Sequence, residues 1–235
     1  MSRWVHDGLK AVFFDAVGTL IFPEPGAATV YAQAASRRGI VVDVNALRER
    51  MWTAYRAEEK VDRIAGWVTS ESREAARWRR IVSDSLPDGI DAENCFQELF
   101  AHFAQPTSWR VNPDADRVFS TLRQRGVTLG LASNYDARLL SVIAGHPELG
   151  PIRDRVVISA AVGYRKPARE FFEHVVQAAG CEAHEILFVG DDVENDYVGA
   201  TAAGMKAVLL ETHPAKPECP VPVENRIASL GELIR

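Results

Sequence analysis

Short, nearly continuous apolar runs recur along the chain and predict strands that are buried on both faces. The first run is Ala11–Phe14, and the others follow a long gap. Those later runs are Val127–Ala132, Arg155–Ser159, Ile186–Val189 and Ala207–Leu210. Apolar runs without regular polar alternation are typical of parallel sheets whose two faces are covered by helices.

Helical patterns separate the later runs. One begins at Asn112-Pro113, a cap residue followed by a first-turn proline, and ends at Gly126. A second pattern lies between residues 167 and 180, and a shorter helix is predicted over 197–204. Strands alternating with helices in this way predict right-handed βαβ units.

The stretch 22–107 is different, because no strand-like run interrupts it. Leu47, Met51 and Tyr55 lie four apart on one helix face, and an apolar stripe of helical spacing runs from Cys95 to Phe103. About four helices are expected here. We therefore predict an α/β fold with two domains. A Rossmann-like, three-layer core with a parallel sheet comprises residues 1–21 and 108–235, and a helical-bundle cap domain comprises residues 22–107. The proline-rich stretch 214–222 is expected to be a surface connection.

Composition narrows the class of protein. Hydrophobic residues make up 47% and charged residues 25% of the 235 residues, as in ordinary globular domains. The net charge of −5 gives no basic surface for nucleic acid, and no run is long enough to span a membrane. The three cysteines form no CxxC pair, which favours a reducing compartment. We expect a cytoplasmic monomer or homodimer.

Chemically reactive side chains follow the predicted strands. Ligands of open parallel sheets bind beyond the carboxyl ends of the strands, so these side chains should meet at one edge. They are Asp15 and Thr19 after the first run, Ser133 and Asn134 after the second, Lys166 after the third, and Asp191, Asp192 and Asp196 after the fourth. On its own, the acidic group could equally be a solvated helix start favoured by the helix dipole.

The order of these groups resembles the haloacid dehalogenase-like hydrolase superfamily. Its four motifs are matched by Phe13-Phe14-Asp15-Ala16-Val17-Gly18-Thr19-Leu20, by Leu131-Ala132-Ser133-Asn134, by Arg165-Lys166-Pro167, and by Gly190-Asp191-Asp192-Val193-Glu194-Asn195-Asp196. Each motif alone is weak, but all four stand in order at strand ends. The resemblance covers nearly the whole chain, including a helical cap inserted after the first motif.

The resemblance implies a role for each group. Asp15 is similar to the family nucleophile, which forms a covalent aspartyl intermediate. Ser133 and Lys166 would hold the transferred group as further catalytic residues, and Thr19 and Asn134 would be neighbours that bind substrate. The cofactor implied is Mg²⁺. Its expected ligands are Asp15, the backbone carbonyl of Val17, Asp191, Asp192 and Asp196, with Asp192 acting either as a ligand or from outside the ligand set.

Val17 departs from the pattern of the family's phosphatases, which carry a second Asp at this position as general acid and base. Loss of such a group costs roughly 10²–10⁴-fold in rate. The loss should be largest for sugar or alkyl phosphates and smallest for acyl or aryl phosphates, whose leaving groups are stable anions. The expected function is Mg²⁺-dependent hydrolysis of a small phosphorylated metabolite through phospho-Asp15, weak on ordinary monoesters.

Three alternatives stay open at this point. A dehalogenase-type reaction needs no protonation of its leaving halide, although Asp191 and Asp192 would repel a substrate carboxylate. A phosphonatase-type reaction needs a cap lysine, and Lys60 is the one lysine of residues 22–107. Its acidic neighbours favour a solvated helix face instead. Finally, Val17 also fits a binding or regulatory protein that has lost efficient catalysis.

Overall fold

A computed structural model describes Trp4, residues 8–211 and residues 219–235 of the chain. The proline-rich stretch 214–222 therefore lies partly outside the described residues. Strands and helices alternate after a long helical segment, as the sequence predicts. The strands are β1 (Ala11–Phe14), β2 (Ile21–Pro23), β3 (Trp109–Val111), β4 (Thr128–Ser133), β5 (Val156–Ile158), β6 (Ile186–Gly190), β7 (Lys206–Leu210) and β8 (Arg226–Ile227).

A six-stranded parallel sheet forms the centre of the described part of the chain. Its strand order is β5-β4-β1-β6-β7-β8, and every neighbouring pair in it is parallel. β1 lies between β4 and β6, with Ala11 in register with both Thr128 and Ile186. This central place explains why all four β1 residues are buried and apolar.

Helices cover both faces of this sheet, so the predicted α/β fold with a layered parallel sheet is confirmed. The helices are α1 (Ala27–Ser36), α2 (Val44–Ile64), α3 (Glu71–Ser85), α4 (Ala92–His102), α5 (Ala115–Gln124), α6 (Arg138–Ala144), α7 (Ser159–Val162), α8 (Arg169–Ala179) and α9 (Gly199–Ala202). Val12 and Phe14 pack in the apolar cluster that includes α5 and α6. Phe13 packs in the opposite cluster, with α8 and α9. Successive side chains of β1 point to opposite faces of the sheet, so this strand contributes to the apolar core on both sides.

The helices α1 to α4 pack around an apolar cluster of their own. Val30, Leu47, Val82 and Phe96, one from each helix, are buried in it. Asp43, Ser70 and Asp91 cap the first turns of α2, α3 and α4 through their side chains. The expected helical segment is therefore present, while the division into domains at residues 22 and 107 stays a prediction.

Two local features differ from the sequence prediction. β2 and β3 pair antiparallel where no strand was predicted, at the entry to and exit from the helical segment. The strands are three residues long, too short to give a readable pattern. The helix predicted over 197–204 begins earlier than expected, as a π-helical turn, Val193–Val198, that continues into the short α9. Within the described ranges, no helix has the length and apolar character to cross a bilayer.

Candidate active site

The carboxyl ends of β1, β4 and β6 place the candidate site. Asp15 follows β1 directly, Ser133 ends β4, and Asp191 follows Gly190 at the end of β6. The backbone N–H of Asp15 donates to the carbonyl of Val189 at 2.8 Å, so the sheet ladder continues up to the site. Backbone pairing, rather than loop packing, therefore fixes where the Asp15 side chain emerges.

One oxygen of the Asp15 carboxylate accepts two hydrogen bonds. Ser133 Oγ donates to Oδ1 at 3.1 Å, and Lys166 Nζ donates to the same atom at 2.6 Å. All three side chains are buried, with Asp15 only 6% exposed. Neither donor contacts the other carboxylate oxygen, Oδ2. The three residues thus lie together, as expected from the sequence.

Lys166 is a buried ammonium held on several sides. Its Nζ lies 2.6 Å from Asp196 Oδ1 and 3.2 Å from the carbonyl of Ala132. Burial acts to lower the pKa of Lys166, but the charges of Asp15 and Asp196 outweigh it and raise that pKa above the ordinary lysine value. Lys166 is therefore a cation at physiological pH.

Asn134 fixes the backbone of Lys166 rather than its side chain. Its Oδ1 accepts from the N–H of Lys166 at 2.7 Å, and its Nδ2 donates to the carbonyl of Lys166 at 3.0 Å. The two bonds form a closed pair that orients the loop carrying the lysine. The structure thus places Asn134 at the site, while its predicted contact with substrate stays a prediction.

Three carboxylates converge beside Lys166. Asp15, Asp191 and Asp196 each offer a ligand oxygen, and these oxygens lie within 4.8 Å of one another. The glycines next to them make the approach possible. A Cβ on Gly190 would lie 2.1 Å from Asp196 Oδ2, and a Cβ on Gly18, whose φ is +94°, would lie 2.3 Å from Asp191 Oδ2. The acidic cluster therefore requires small residues around it.

The cluster carries more negative than positive charge. Burial, and then the charges of Asp15 and Asp196, raise the pKa of Asp191 well above its ordinary value. Burial raises the pKa of Asp196 to about 7, although Lys166 opposes the shift. One buried ammonium does not offset the mutual repulsion of three carboxylates, so a further cation would be favourable here. An all-oxygen donor set with this excess charge fits a hard divalent metal ion.

The remaining predicted site residues surround this cluster. Thr19 Oγ1 donates to Asp191 Oδ1 at 3.2 Å and so supports a carboxylate of the cluster. Asp192 is exposed, and its Oδ1 accepts from the N–H groups of Glu194 and Asn195, which caps the π-helical turn. It is not part of the converging trio. Roles for Thr19 in substrate binding and for Asp192 as a ligand stay predictions.

Val17 lies on the open side of the first-motif turn. Its side chain is 37% exposed. In this turn Gly18 N–H donates to the carbonyl of Ile21, and Ile21 N–H donates to that of Ala16. Neither bond uses the carbonyl of Val17, which was predicted as a metal ligand. The side chain brings no titratable group to the site.

A buried group of charged residues next to the site was missed by sequence reasoning. Arg165, Asp62, Glu74 and Arg77 are each at most 2% exposed and are linked by ion pairs. The available signal was spacing: Glu74 and Arg77 fall on the same face of α3 as the buried Ile81. Charges on an apolar face predict buried pairing, but not the identity of the partner.

Comparison with known proteins gives a consistent classification. A family model described as haloacid dehalogenase-like hydrolase matches residues 9–204. The mouse (Mus musculus) protein named haloacid dehalogenase-like hydrolase domain-containing protein 3 is 28% identical over 235 residues, which cover 96% of this chain and 92% of the relative. Glyceraldehyde 3-phosphate phosphatase of Methanothermobacter thermautotrophicus is 29% identical over 135 residues, 52% of this chain and 58% of that protein.

The fold also has solved counterparts. The crystal structure of a dehalogenase superposes with a TM-score of 0.76 and covers 97% of both chains. Its sequence is 18% identical to this one, so the likeness concerns the fold alone.

Proposed function

Because the chain belongs to the haloacid dehalogenase-like hydrolases, we propose that it is a phosphatase using Asp15 as nucleophile toward a small phosphorylated molecule. The observation that carries this proposal is the contact of Asp15 Oδ1 with both Ser133 Oγ and Lys166 Nζ, at 3.1 and 2.6 Å. Donors on one oxygen fix the carboxylate and leave its other oxygen without a bond to either of them, as an attacking group requires.

The reaction proceeds in two displacements at phosphorus. First, a carboxylate oxygen of Asp15 forms a bond to phosphorus, and the leaving-group oxygen departs with the electrons of the broken P–O bond. Then water attacks phosphorus, the bond between phosphorus and Asp15 breaks, and the water's proton passes to solvent. Lys166 offsets the charge that builds up on the phosphoryl oxygens, and Ser133 donates a hydrogen bond to the site.

The residues that would hold Mg²⁺ are Asp15, Asp191 and Asp196, together with the backbone carbonyl of Val17. When bound, Mg²⁺ supplies positive charge that offsets the repulsion between these carboxylates and an incoming phosphate. The raised pKa values of Asp191 and Asp196 support this assignment. For Asp192, the capping bonds favour a role outside the ligand set.

Val17 limits the substrates that this site turns over. With no acid at this position, the leaving oxygen departs as an anion or takes its proton from water. Acyl and aryl phosphates therefore suit the site better than sugar or alkyl phosphates. We propose that the helices of residues 22–107 act as a cap that closes over the substrate and excludes water.

Turnover of acetyl phosphate and an aryl phosphate, with and without Mg²⁺, tests the proposal. Asp15→Asn should abolish Mg²⁺-dependent turnover, because the amide cannot attack phosphorus. Asp84→Asn is the matched control, since it removes an exposed carboxylate on α3 and should leave the rate unchanged. Equal rates in wild type and Asp15→Asn, or no Mg²⁺-dependent turnover at all, would contradict the phosphatase assignment.

A dehalogenase-type reaction is the second candidate, and Val17 favours it because a halide leaves without a proton. Single turnover in heavy-oxygen water separates the two. Attack of water at phosphorus places the label in phosphate. In the dehalogenase-type reaction Asp15 would instead attack carbon and displace halide to form an alkyl ester, and water that attacks the carbonyl of this ester would place the label in Asp15 and release the alcohol. A phosphonatase-type reaction through Lys60 has less support, because this lysine is exposed, whereas such nucleophiles are usually desolvated.

Metal-dependent ligand binding without turnover would instead indicate a binding protein.

A further inference from the structure

A short backbone pairing joins the helical segment to the loop that carries Lys166. The N–H of Arg165 donates to the carbonyl of Trp67 at 2.9 Å, and the N–H of Thr69 donates to the carbonyl of Gly163 at 2.9 Å. These bonds form an antiparallel bridge between the connection from α2 to α3 and the loop before α8. The helical segment thus contacts the backbone immediately before the lysine.

The side chain of Arg165 reaches into the helical segment at the same place. Its Nη1 donates to Glu74 on α3, and its Nε lies 3.5 Å from Asp62 Oδ2 on α2. Thr69 Oγ1 donates to the same Glu74 oxygen at 2.9 Å. Arg165 therefore forms ion pairs with two helices of the helical segment, α2 and α3.

These pairs belong to a larger, mostly buried network. Asp62 also accepts from Arg77 Nε at 2.9 Å and from Arg73 Nη2 at 2.6 Å, and Arg73 pairs with Glu58 at 2.7 Å. The network therefore joins three arginines to three carboxylates, and its formal charges cancel. Arg73 lies at the edge of the network with 25% of its side chain exposed. Removing Arg165, Glu74 or Asp62 leaves an unpaired charge in the buried part, which is strongly unfavourable.

The neighbouring residue is the catalytic lysine. Lys166 Nζ contacts both Asp15 and Asp196 at 2.6 Å. Two adjacent buried cations thus point to different partners, one to the active site and one to the helical segment.

We propose that Arg165 is a positioning residue, whose buried pairing with Glu74 and Asp62 locks the docked helical segment onto the loop that aims Lys166 at Asp15. Docking of the helical segment and the placement of the Lys166 side chain are therefore coupled. This inference rests on the proposed function for the chemistry that Lys166 performs, but the coupling itself can be measured without turnover.

Hydrogen exchange read by mass spectrometry measures the coupling directly. In Arg165→Met, the amides of Thr69 and Arg165 should exchange about 10²-fold faster than in wild type, since an unpaired buried charge favours local opening. Exchange in β1 and α4 should stay unchanged. Glu74→Gln, which keeps the size of the side chain, should show the same local pattern and serves as a second variant. Arg169→Met is the matched control, because Arg169 pairs with Glu173 on the surface with 81% of its side chain exposed.

Steady-state kinetics on an aryl phosphate tests the consequence for Lys166. Arg165→Met and Glu74→Gln should lower kcat by about 10- to 10²-fold, because small misplacement of a charge-stabilising group has effects of this size. KM should change little, and Arg169→Met should behave as wild type. A merely structural role would lower the amount of folded enzyme without this split between kcat and KM.

Three results would overturn the inference. Unchanged exchange at Thr69 and Arg165 would show that the ion pairs do not hold the two parts together. Faster exchange throughout, including β1, would show that Arg165 is merely structural. Local opening with normal kcat would show that docking and lysine placement are independent. If wild type itself has no turnover, the proposed function fails, and the exchange data alone then decide whether the two parts are locked.

Discussion

At the scale of single residues, the position two after the nucleophile decides which leaving groups the site can serve. Val17 is 37% exposed, and the turn that follows Asp15 is held by backbone hydrogen bonds of its neighbours Ala16, Gly18 and Ile21. A polar side chain could occupy the same place without being buried. The site therefore has room for the proton donor that it lacks.

Val17→Asp should raise the turnover of an alkyl phosphate by about 10²–10⁴-fold, the usual contribution of a general acid and base. The gain for acetyl phosphate should be smaller, because its leaving group needs no proton. Rates for a series of phosphates of increasing leaving-group pKa measure this. Val41→Asp, at a valine that is 91% exposed on the helical segment, is the control. No gain on any substrate would mean that more than the proton donor is missing.

At the scale of elements, strand ends made the candidate site predictable. Asp15, Ser133 and Asp191 follow apolar runs in the sequence, and the parallel pairing of β1, β4 and β6 brings them together. The strand pair β2 and β3 was missed, because three residues are too few to show a period. The contact of Arg165 with Glu74 was missed for another reason. These residues are 91 positions apart, and local patterns do not specify such tertiary pairs.

The end of β6 gives the element-scale prediction. Gly190→Ala should abolish Mg²⁺ binding and destabilise the fold by about 1–3 kcal/mol, the usual effect of overpacking. The reason is the 2.1 Å separation between the new Cβ and Asp196 Oδ2. Thermal unfolding with and without Mg²⁺ measures both effects. Gly150→Ala is the control, since nothing lies within 4 Å of its Cβ position. A normal Mg²⁺ response in Gly190→Ala would show that Asp196 is not needed for the ion.

At the scale of the whole molecule, the buried acidic cluster couples folding to pH. Burial raises the pKa of Asp196 to about 7 from an ordinary value of 3.8. Between these values the folded chain holds a proton that the unfolded chain has released. Stability of the metal-free protein should therefore fall as pH rises through this window. Lys166 stays charged throughout, because its pKa is raised. Denaturant unfolding across this range, with chelator present, measures the slope, and a stability that rises instead would contradict the assignment.

A Mg²⁺ titration by calorimetry tests the central claim, that a divalent ion is held by Asp15, Asp191 and Asp196. Wild type should bind one ion with release of protons, and more tightly at about pH 8 than at about pH 6, because the metal competes with protons for the carboxylates. Asp191→Asn should lose this binding, while Asp192→Asn should retain most of it. Absence of binding at millimolar Mg²⁺, or equal binding by wild type and Asp191→Asn, would contradict the account.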